Sequence, residues 1–155
     1  DGGKGFAEDV QVGIIVGTPG AAIMTPVLAK DVDFFSIGTN DLVQYTLACD
    51  RGNANIAYLY NHFNPAVLRL IQRTITSARE NGIWAGMCGE MASDPNAAVL
   101  LMAMGISELS MSAPSIPRVK EKIRNISSIK AKEILADVME MEDGDEIKAY
   151  LAKIV

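Results

Sequence analysis

Asn40 and Asp41 stand side by side just after a short apolar run, in the string Ile37-Gly38-Thr39-Asn40-Asp41. An amide beside a carboxylate at a strand end suits a hard cation such as Mg2+ together with a phosphate or carboxylate ligand. Asp41 can equally cap the turn that follows, a common use of Asp. Arg51 lies in Asp50-Arg51-Gly52-Asn53, a loop composition, and its guanidinium can hold a planar anion through two parallel hydrogen bonds. A solvated surface arginine has the same signature. Cys88 ends another apolar run, in Gly86-Met87-Cys88-Gly89-Glu90-Met91, where the glycines allow a ligand close to the backbone. A thiol there can act as nucleophile or general acid, or be a small buried core group. Glu90 is either an acid/base group or a helix N-terminal carboxylate. His62 is the one histidine, without a partner at ligand spacing, and a surface or capping role fits it better than catalysis. Cys49 has no comparable setting and reads as structural.

Chemistry at those positions needs elements that end there. Gln11–Val16, Asp33–Ile37, Ile83–Met87 and Glu108–Met111 are short apolar runs, expected as strands buried on both faces. Each ends in a glycine- or proline-containing corner, the mark of a turn. Asn64-Pro65 and Asp94-Pro95 open helices with a capping side chain followed by proline at the first helical position. Gly82 and Gly105 are expected to close them in the left-handed conformation. Ile116-Pro117 opens a helix through Arg124. Ala21–Lys30 looks helical, but Pro26 inside it predicts a short or broken helix, starting near Thr25-Pro26. Ile129–Met141 and Asp145–Ile154 are amphipathic helices that end the chain. The unit is strand then helix, which predicts an α/β fold with parallel strands and right-handed crossovers. In such folds ligands sit at the carboxyl ends of the strands, where the polar residues above gather.

Composition removes several classes. The chain has 155 residues, a net charge of −5 and a pI near 4.8. That acidity, without a Lys/Arg block, argues against nucleic acid and anionic membrane surfaces as partners. No apolar run approaches the roughly 20 residues of a membrane span. The opening Asp1-Gly2-Gly3-Lys4-Gly5 has no apolar segment of the signal-peptide kind. Two cysteines are too few for a disulfide framework and predict a reducing, cytoplasmic setting. No Walker A, nucleophile-elbow or metalloprotease motif is present. A complete (β/α)8 barrel takes about 250 residues and does not fit the length.

Asp33–Leu42, Gln44-Tyr45-Thr46-Leu47 with Asp50-Arg51, Gly86–Ala92, Ser110–Ala113 and the stretch from Ile116 to Asn125 carry a further reading. In these strings the chain resembles the phosphoenolpyruvate-utilising enzymes, and among them Enzyme I, the phosphoenolpyruvate-protein phosphotransferase of the bacterial sugar phosphotransferase system. Pyruvate phosphate dikinase and phosphoenolpyruvate synthase are the neighbouring alternatives. The resemblance implies the C-terminal half of a TIM (β/α)8 barrel, with four parallel βα units over residues 1–125 and a C-terminal helical appendage over residues 126–155. It implies phosphoryl transfer from phosphoenolpyruvate to a histidine on a phosphocarrier domain or protein, with release of pyruvate. By position, Asp41 matches a Mg2+ ligand, Asn40, Asp41 and Arg51 match substrate-binding residues, and Cys88 matches the thiol that protonates the enolate carbon. Where the family has a second ligand glutamate, this chain has Gly17, so metal is expected to bind weakly and the half barrel to be inactive alone. Four parallel strands leave two edges and an uncovered interior, which predicts homo-oligomers, two copies pairing about a two-fold axis. The alternative is a self-associating structural or designed half-barrel module without catalysis.

Overall fold

The four apolar runs become the strands β1 (Gly13–Val16), β2 (Phe34–Gly38), β3 (Trp84–Cys88) and β4 (Glu108–Leu109). All are parallel and are ordered β1-β2-β3-β4 in one sheet. The computed structural model describes residue 5 and residues 7–155, so most of the opening segment lies outside the described residues. Two strands are shorter than expected. β4 pairs only through Glu108 and Leu109, because the chain then leaves the sheet for a 3-10 turn at Ala113–Ser115. β1 starts at Gly13, although Val12 still takes part in the edge: its N–H donates to the Asp33 carboxylate at 2.7 Å, and its carbonyl accepts from the Asp33 N–H at 2.8 Å.

Strand alternation assigns the two faces. Val16, Phe35, Ile37, Ala85 and Met87 point toward the helices and are buried. Each large one contributes about 1.5–3 kcal/mol relative to exposure. The register puts Gly13, Phe34 and Trp84 in one layer of the other face, Ile15, Ser36 and Gly86 in the next, and Gly38 beside Cys88 at the carboxyl end. Layered inward side chains from neighbouring strands are how a (β/α)8 barrel fills its interior. Here that face is open, with Ile15 66% exposed. Phe34 and Trp84 stack on it, ring centroids 4.3 Å apart and 8° from parallel. Gly13 makes room for this, since a Cβ there would come within 2.5 Å of the Phe34 ring.

The helices α1 (Pro19–Leu28), α2 (Thr39–Leu47), α3 (Pro65–Glu80), α4 (Pro95–Met104) and α5 (Ile116–Arg124) follow the strands. Asn64 caps α3 by accepting from the Ala66 N–H, and Asp94 caps α4 by accepting from Asn96 and Ala97. Gly82 and Gly105 take positive φ values of 72° and 95° after these helices, as the sequence predicts. Val67, Leu68, Ile71 and Ile75 of α3, with Leu100 and Leu101 of α4, complete the core under the sheet.

The expected break at Pro26 does not occur. α1 runs unbroken from Pro19 to Leu28, opened by Thr18, whose hydroxyl accepts from the Ala21 N–H. Pro26 removes one N–H, and the carbonyl that would have received it, Ala22 O, accepts instead from the Thr25 hydroxyl at 2.9 Å. The helix therefore keeps its acceptor satisfied through the lost rung. At the end of the chain, α6 (Ser128–Glu140) and α7 (Gly144–Ile154) bring Ile134, Leu135, Val138, Ile147 and Leu151 into the same apolar core. The four βα units are the C-terminal half of a TIM-barrel architecture.

Candidate functional site

β2 passes straight into α2: Gly38 is both the last strand residue and the helix N-cap, and it supplies no side-chain cap. The first turn of α2 is thereby held at the carboxyl edge of the sheet with its N–H groups and its positive dipole end facing outward, a setting that favours anions. Thr39, Asn40 and Asp41 form that turn.

Three hydrogen bonds lock it to its neighbours. The Thr39 hydroxyl, on a buried residue, donates to the Cys88 carbonyl at 3.1 Å. Asn40 Oδ1 accepts from the Glu90 N–H at 3.1 Å. The Asn40 backbone carbonyl accepts from the Tyr60 hydroxyl at 3.1 Å. With its oxygen used by Glu90, Asn40 keeps its Nδ2 donors uncommitted among the described residues. Gly89 lets β3 come this close: its φ is 111°, and a Cβ there would fall 2.4 Å from Thr39 Oγ1 and 3.0 Å from Asn40 Oδ1.

Arg51 reaches the same turn from the loop after α2. Asp50 Oδ1 accepts from the Gly52 N–H at 2.8 Å, and the Arg51 N–H donates to Gln44 Oε1 at 3.2 Å, which folds the loop back over the helix. The guanidinium Nη1 lies 3.9 Å from Asp41 Oδ1, with the two side chains 52% and 55% exposed. So long and wet a pair is worth under about 1 kcal/mol and leaves the guanidinium available to an incoming anion. Burial pushes the Tyr60 phenol up and the Glu90 carboxylate adds to it, with Arg51 acting the other way. Tyr60 thus keeps its proton and stays a hydrogen-bond donor to Asn40. Arg51, Ala57, Tyr60 and Glu90 line a shallow cavity of about 190 Å3. A larger groove of about 350 Å3 lies beside β4, walled mostly by apolar side chains such as Met102, Leu109, Ile116 and Val119, with Ser107, Glu108 and Lys120 also in its lining.

Cys88 closes β3 on the open face of the sheet, half-buried. Its Sγ is 3.7 Å from the Ser36 hydroxyl and 3.7 Å from the Ile37 carbonyl. Position 17 faces the same edge: a Cβ built on Gly17 would lie 3.3 Å from Asp41 Cβ and 3.8 Å from its Oδ2. A side chain there would run along the Asp41 carboxylate.

The residues present do not make a cation site. Asp41 offers one carboxylate, the facing position is glycine, and no group of three or more His, Cys, Asp or Glu side chains converges among the described residues. A hard cation wanting six oxygens would find one protein carboxylate and the Asn40 amide oxygen, which is already accepting.

The structure therefore brings Asn40, Asp41 and Arg51 together and sets Cys88 on the adjoining strand end, tied to them through Thr39. His62 lies apart, its Nε2 3.4 Å from Asp94 Oδ2 and its ring tilted on Phe63 at the start of α4. Tyr60, Thr39 and Ser36 were not singled out from sequence. For Ser36 a signal existed, a lone hydroxyl inside an otherwise apolar strand.

A parallel sheet whose carboxyl edge carries an uncapped helix start, an amide, an arginine and a thiol is an α/β arrangement with the chemistry to suit an anionic ligand. The family model for the PEP-utilising enzyme, PEP-binding domain matches residues 1–128, and the chain belongs to that family of phosphoenolpyruvate-utilising enzymes. It is 55% identical over 135 residues to a phosphoenolpyruvate-protein phosphotransferase of Haemophilus influenzae, covering 87% of this chain and 23% of the relative. A phosphoenolpyruvate-protein phosphotransferase of Buchnera aphidicola is 50% identical over 142 residues, covering 92% of this chain and 25% of the relative. One of Geobacillus stearothermophilus is 45% identical over 151 residues, covering 97% and 26%. The chain spans about a quarter of the length of these relatives.

Proposed function

We propose that this chain is the phosphoenolpyruvate-binding half barrel of a phosphoenolpyruvate-protein phosphotransferase, acting in the cytoplasm and silent by itself. The observation that carries the reading is the convergence of Asn40, Arg51 and the first turn of α2 at one strand end, with a half-buried thiol on the next. The Asn40 Nδ2 donors, the Arg51 guanidinium and the helix N–H groups hold the phosphate of the substrate. Tyr60 and Glu90 fix the Asn40 backbone and amide, so that no donor has to reorganise as charge moves.

In the reaction a histidine nitrogen of a phosphocarrier domain or protein forms a bond to phosphorus while the bond between phosphorus and the enol oxygen breaks. The electron pair leaves as the enolate of pyruvate. The Cys88 thiol then gives its proton to the terminal enolate carbon, yielding pyruvate and a thiolate that regains a proton from water. The half barrel that would enclose the substrate and the phosphohistidine are both supplied by other segments or partners. Mg2+ belongs to this chemistry in the family, but this chain offers it one carboxylate, and a second ligand has to come from outside it. The relatives' name favours a protein as acceptor over the dikinase and synthase alternatives.

Titrating the protein with phosphoenolpyruvate while following backbone amide resonances tests the reading. Shifts at 39–41, 51 and 88–90 that disappear in Arg51→Ala are expected; a titration that leaves those amides unmoved overturns it.

A second reading has its own support. The open sheet face, with Ile15 exposed and the Phe34–Trp84 stack half-buried on it, and Gly17 in place of a carboxylate fit a self-associating half-barrel module without catalysis. Sedimentation equilibrium decides that reading: dimers are expected from it, and a monomer at high concentration ends it.

A further inference from the structure

The geometry points to Ser36 as a positioning residue for Cys88, a role that rests on the proposed reaction but is read from a different part of the strand. Ser36 and Cys88 sit on the same face of adjacent parallel strands, one layer apart, since Ser36 pairs with Gly86 and Gly38 with Cys88. The residues beside them in those layers, Gly86 and Gly38, have no side chains, so nothing stands between the hydroxyl and the thiol. The Ser36 hydroxyl donates to Cys88 Sγ at 3.7 Å, and the thiol donates to the Ile37 carbonyl at 3.7 Å. No other hydrogen-bond partner engages the Ser36 hydroxyl among the described residues.

The order of donors in this chain has a chemical consequence. At rest the S–H is parked on a backbone acceptor, a weak contact from which it can rotate toward a substrate carbon. When the sulfur–hydrogen bond breaks and the carbon–hydrogen bond forms, the electron pair stays on sulfur. The Ser36 O–H, already aimed at that atom, then becomes a hydrogen bond to a charged acceptor, which is stronger than one to a neutral thiol. Ser36 keeps its proton throughout. Its part is to stabilise the thiolate and fix the direction from which the proton is given.

The test reads Cys88 directly and needs no substrate. Alkylation of the full chain by iodoacetamide is followed from pH 6 to 10, with Cys88 and Cys49 quantified separately by peptide mass spectrometry. Removing the donor makes the thiolate scarcer but more nucleophilic. Ser36→Ala is therefore expected to alkylate Cys88 about three- to fivefold more slowly near pH 7 and faster at the alkaline end, so that its profile crosses that of the parent. Ser36→Thr is expected to follow the parent. A change in access alone would scale the whole profile by one factor, and that outcome, like superimposable profiles, overturns the proposal. Cys49, 1% exposed, reports the fold. Should it become reactive in Ser36→Ala, the Ser36→Thr and Ser36→Val pair, equal in shape and differing in the hydroxyl, decides: crossing profiles support the role and parallel ones overturn it. Because phosphoenolpyruvate is absent, a negative result here is distinct from failure of the amide titration above.

Discussion

The end of β1 and the ends of β2 and β3 lie on the same edge of one sheet, and they are furnished in opposite ways. At β2 and β3, Thr39, Asn40, Tyr60, Glu90 and Cys88 are joined by hydrogen bonds that cross from strand end to strand end. At β1 the position that faces Asp41 is Gly17, with no side chain at all. The difference separates two jobs that active sites usually combine. The hydrogen bonds that hold backbone geometry at β2 and β3 are carried by one set of residues, whereas the Asp41 carboxylate faces a position without a side chain. Architecture and charge at a strand edge can vary separately, because the two are carried by different residues.

The most damaging way to break the furnished side is Gly89→Ala. The added Cβ meets Thr39 Oγ1 at 2.4 Å on a backbone that alanine adopts poorly. Strain and overlap together are expected to cost about 3 kcal/mol, read as a lower urea midpoint. The empty side is sharpened by Gly17→Glu, which puts a second carboxylate along Asp41. Mg2+ is expected to bind at least about tenfold more tightly, close to 1.4 kcal/mol, by calorimetry. An unchanged affinity would mean that position 17 does not serve the cation. Next in size is Tyr60→Phe, which removes one donor from the Asn40 carbonyl. It is expected to cost about 1 kcal/mol of stability and to weaken the amide shifts caused by phosphoenolpyruvate, and a variant with unaltered shifts would detach Tyr60 from the site.

The smallest effect is acidic and lies behind β3. Burial pushes the Asp94 carboxyl up, but the His62 ring, its Nε2 3.4 Å away, and hydrogen bonds from the Ala97 and Asn96 N–H groups outweigh it and hold it below the ordinary range. The unfolded chain then binds the proton first as pH falls. The stabilisation is full above the ordinary carboxylate value near about 4 and is lost as pH drops through the lower folded value. Urea midpoints at pH 5 and pH 3 should therefore fall further in the parent than in Asp94→Asn. Equal falls would show that another group carries the acid sensitivity.

Sequence and structure agree where one local signal decides the outcome. Asn64-Pro65 and Asp94-Pro95 start helices because a cap and a pre-set φ act within a single turn, and Gly82 and Gly105 stop them for the same reason. They part where the deciding contact is elsewhere. Pro26 looked like a break until the Thr25 hydroxyl supplied the missing donor. α2 has no capping side chain at its start, so the polar string Thr39-Asn40-Asp41 reads as a turn. Of the candidate site, Asn40, Asp41, Arg51 and Cys88 stand out in sequence from their place after apolar runs and from the family strings, and the structure brings them to one edge. Tyr60 was not, because nothing in Tyr60-Asn61-His62 indicates that the loop returns to the Asn40 carbonyl.

Trp84 is the chain's one tryptophan, and the structure puts it on the open face, stacked on Phe34 with its Nε1–H donating to Gln11 Oε1 at 3.2 Å. Its emission therefore belongs to that face alone. Whatever covers the sheet, whether a second copy or another segment, would strip water from the indole and move the fluorescence to shorter wavelength. The half barrel carries its own optical gauge of closure, readable without a label or a substrate.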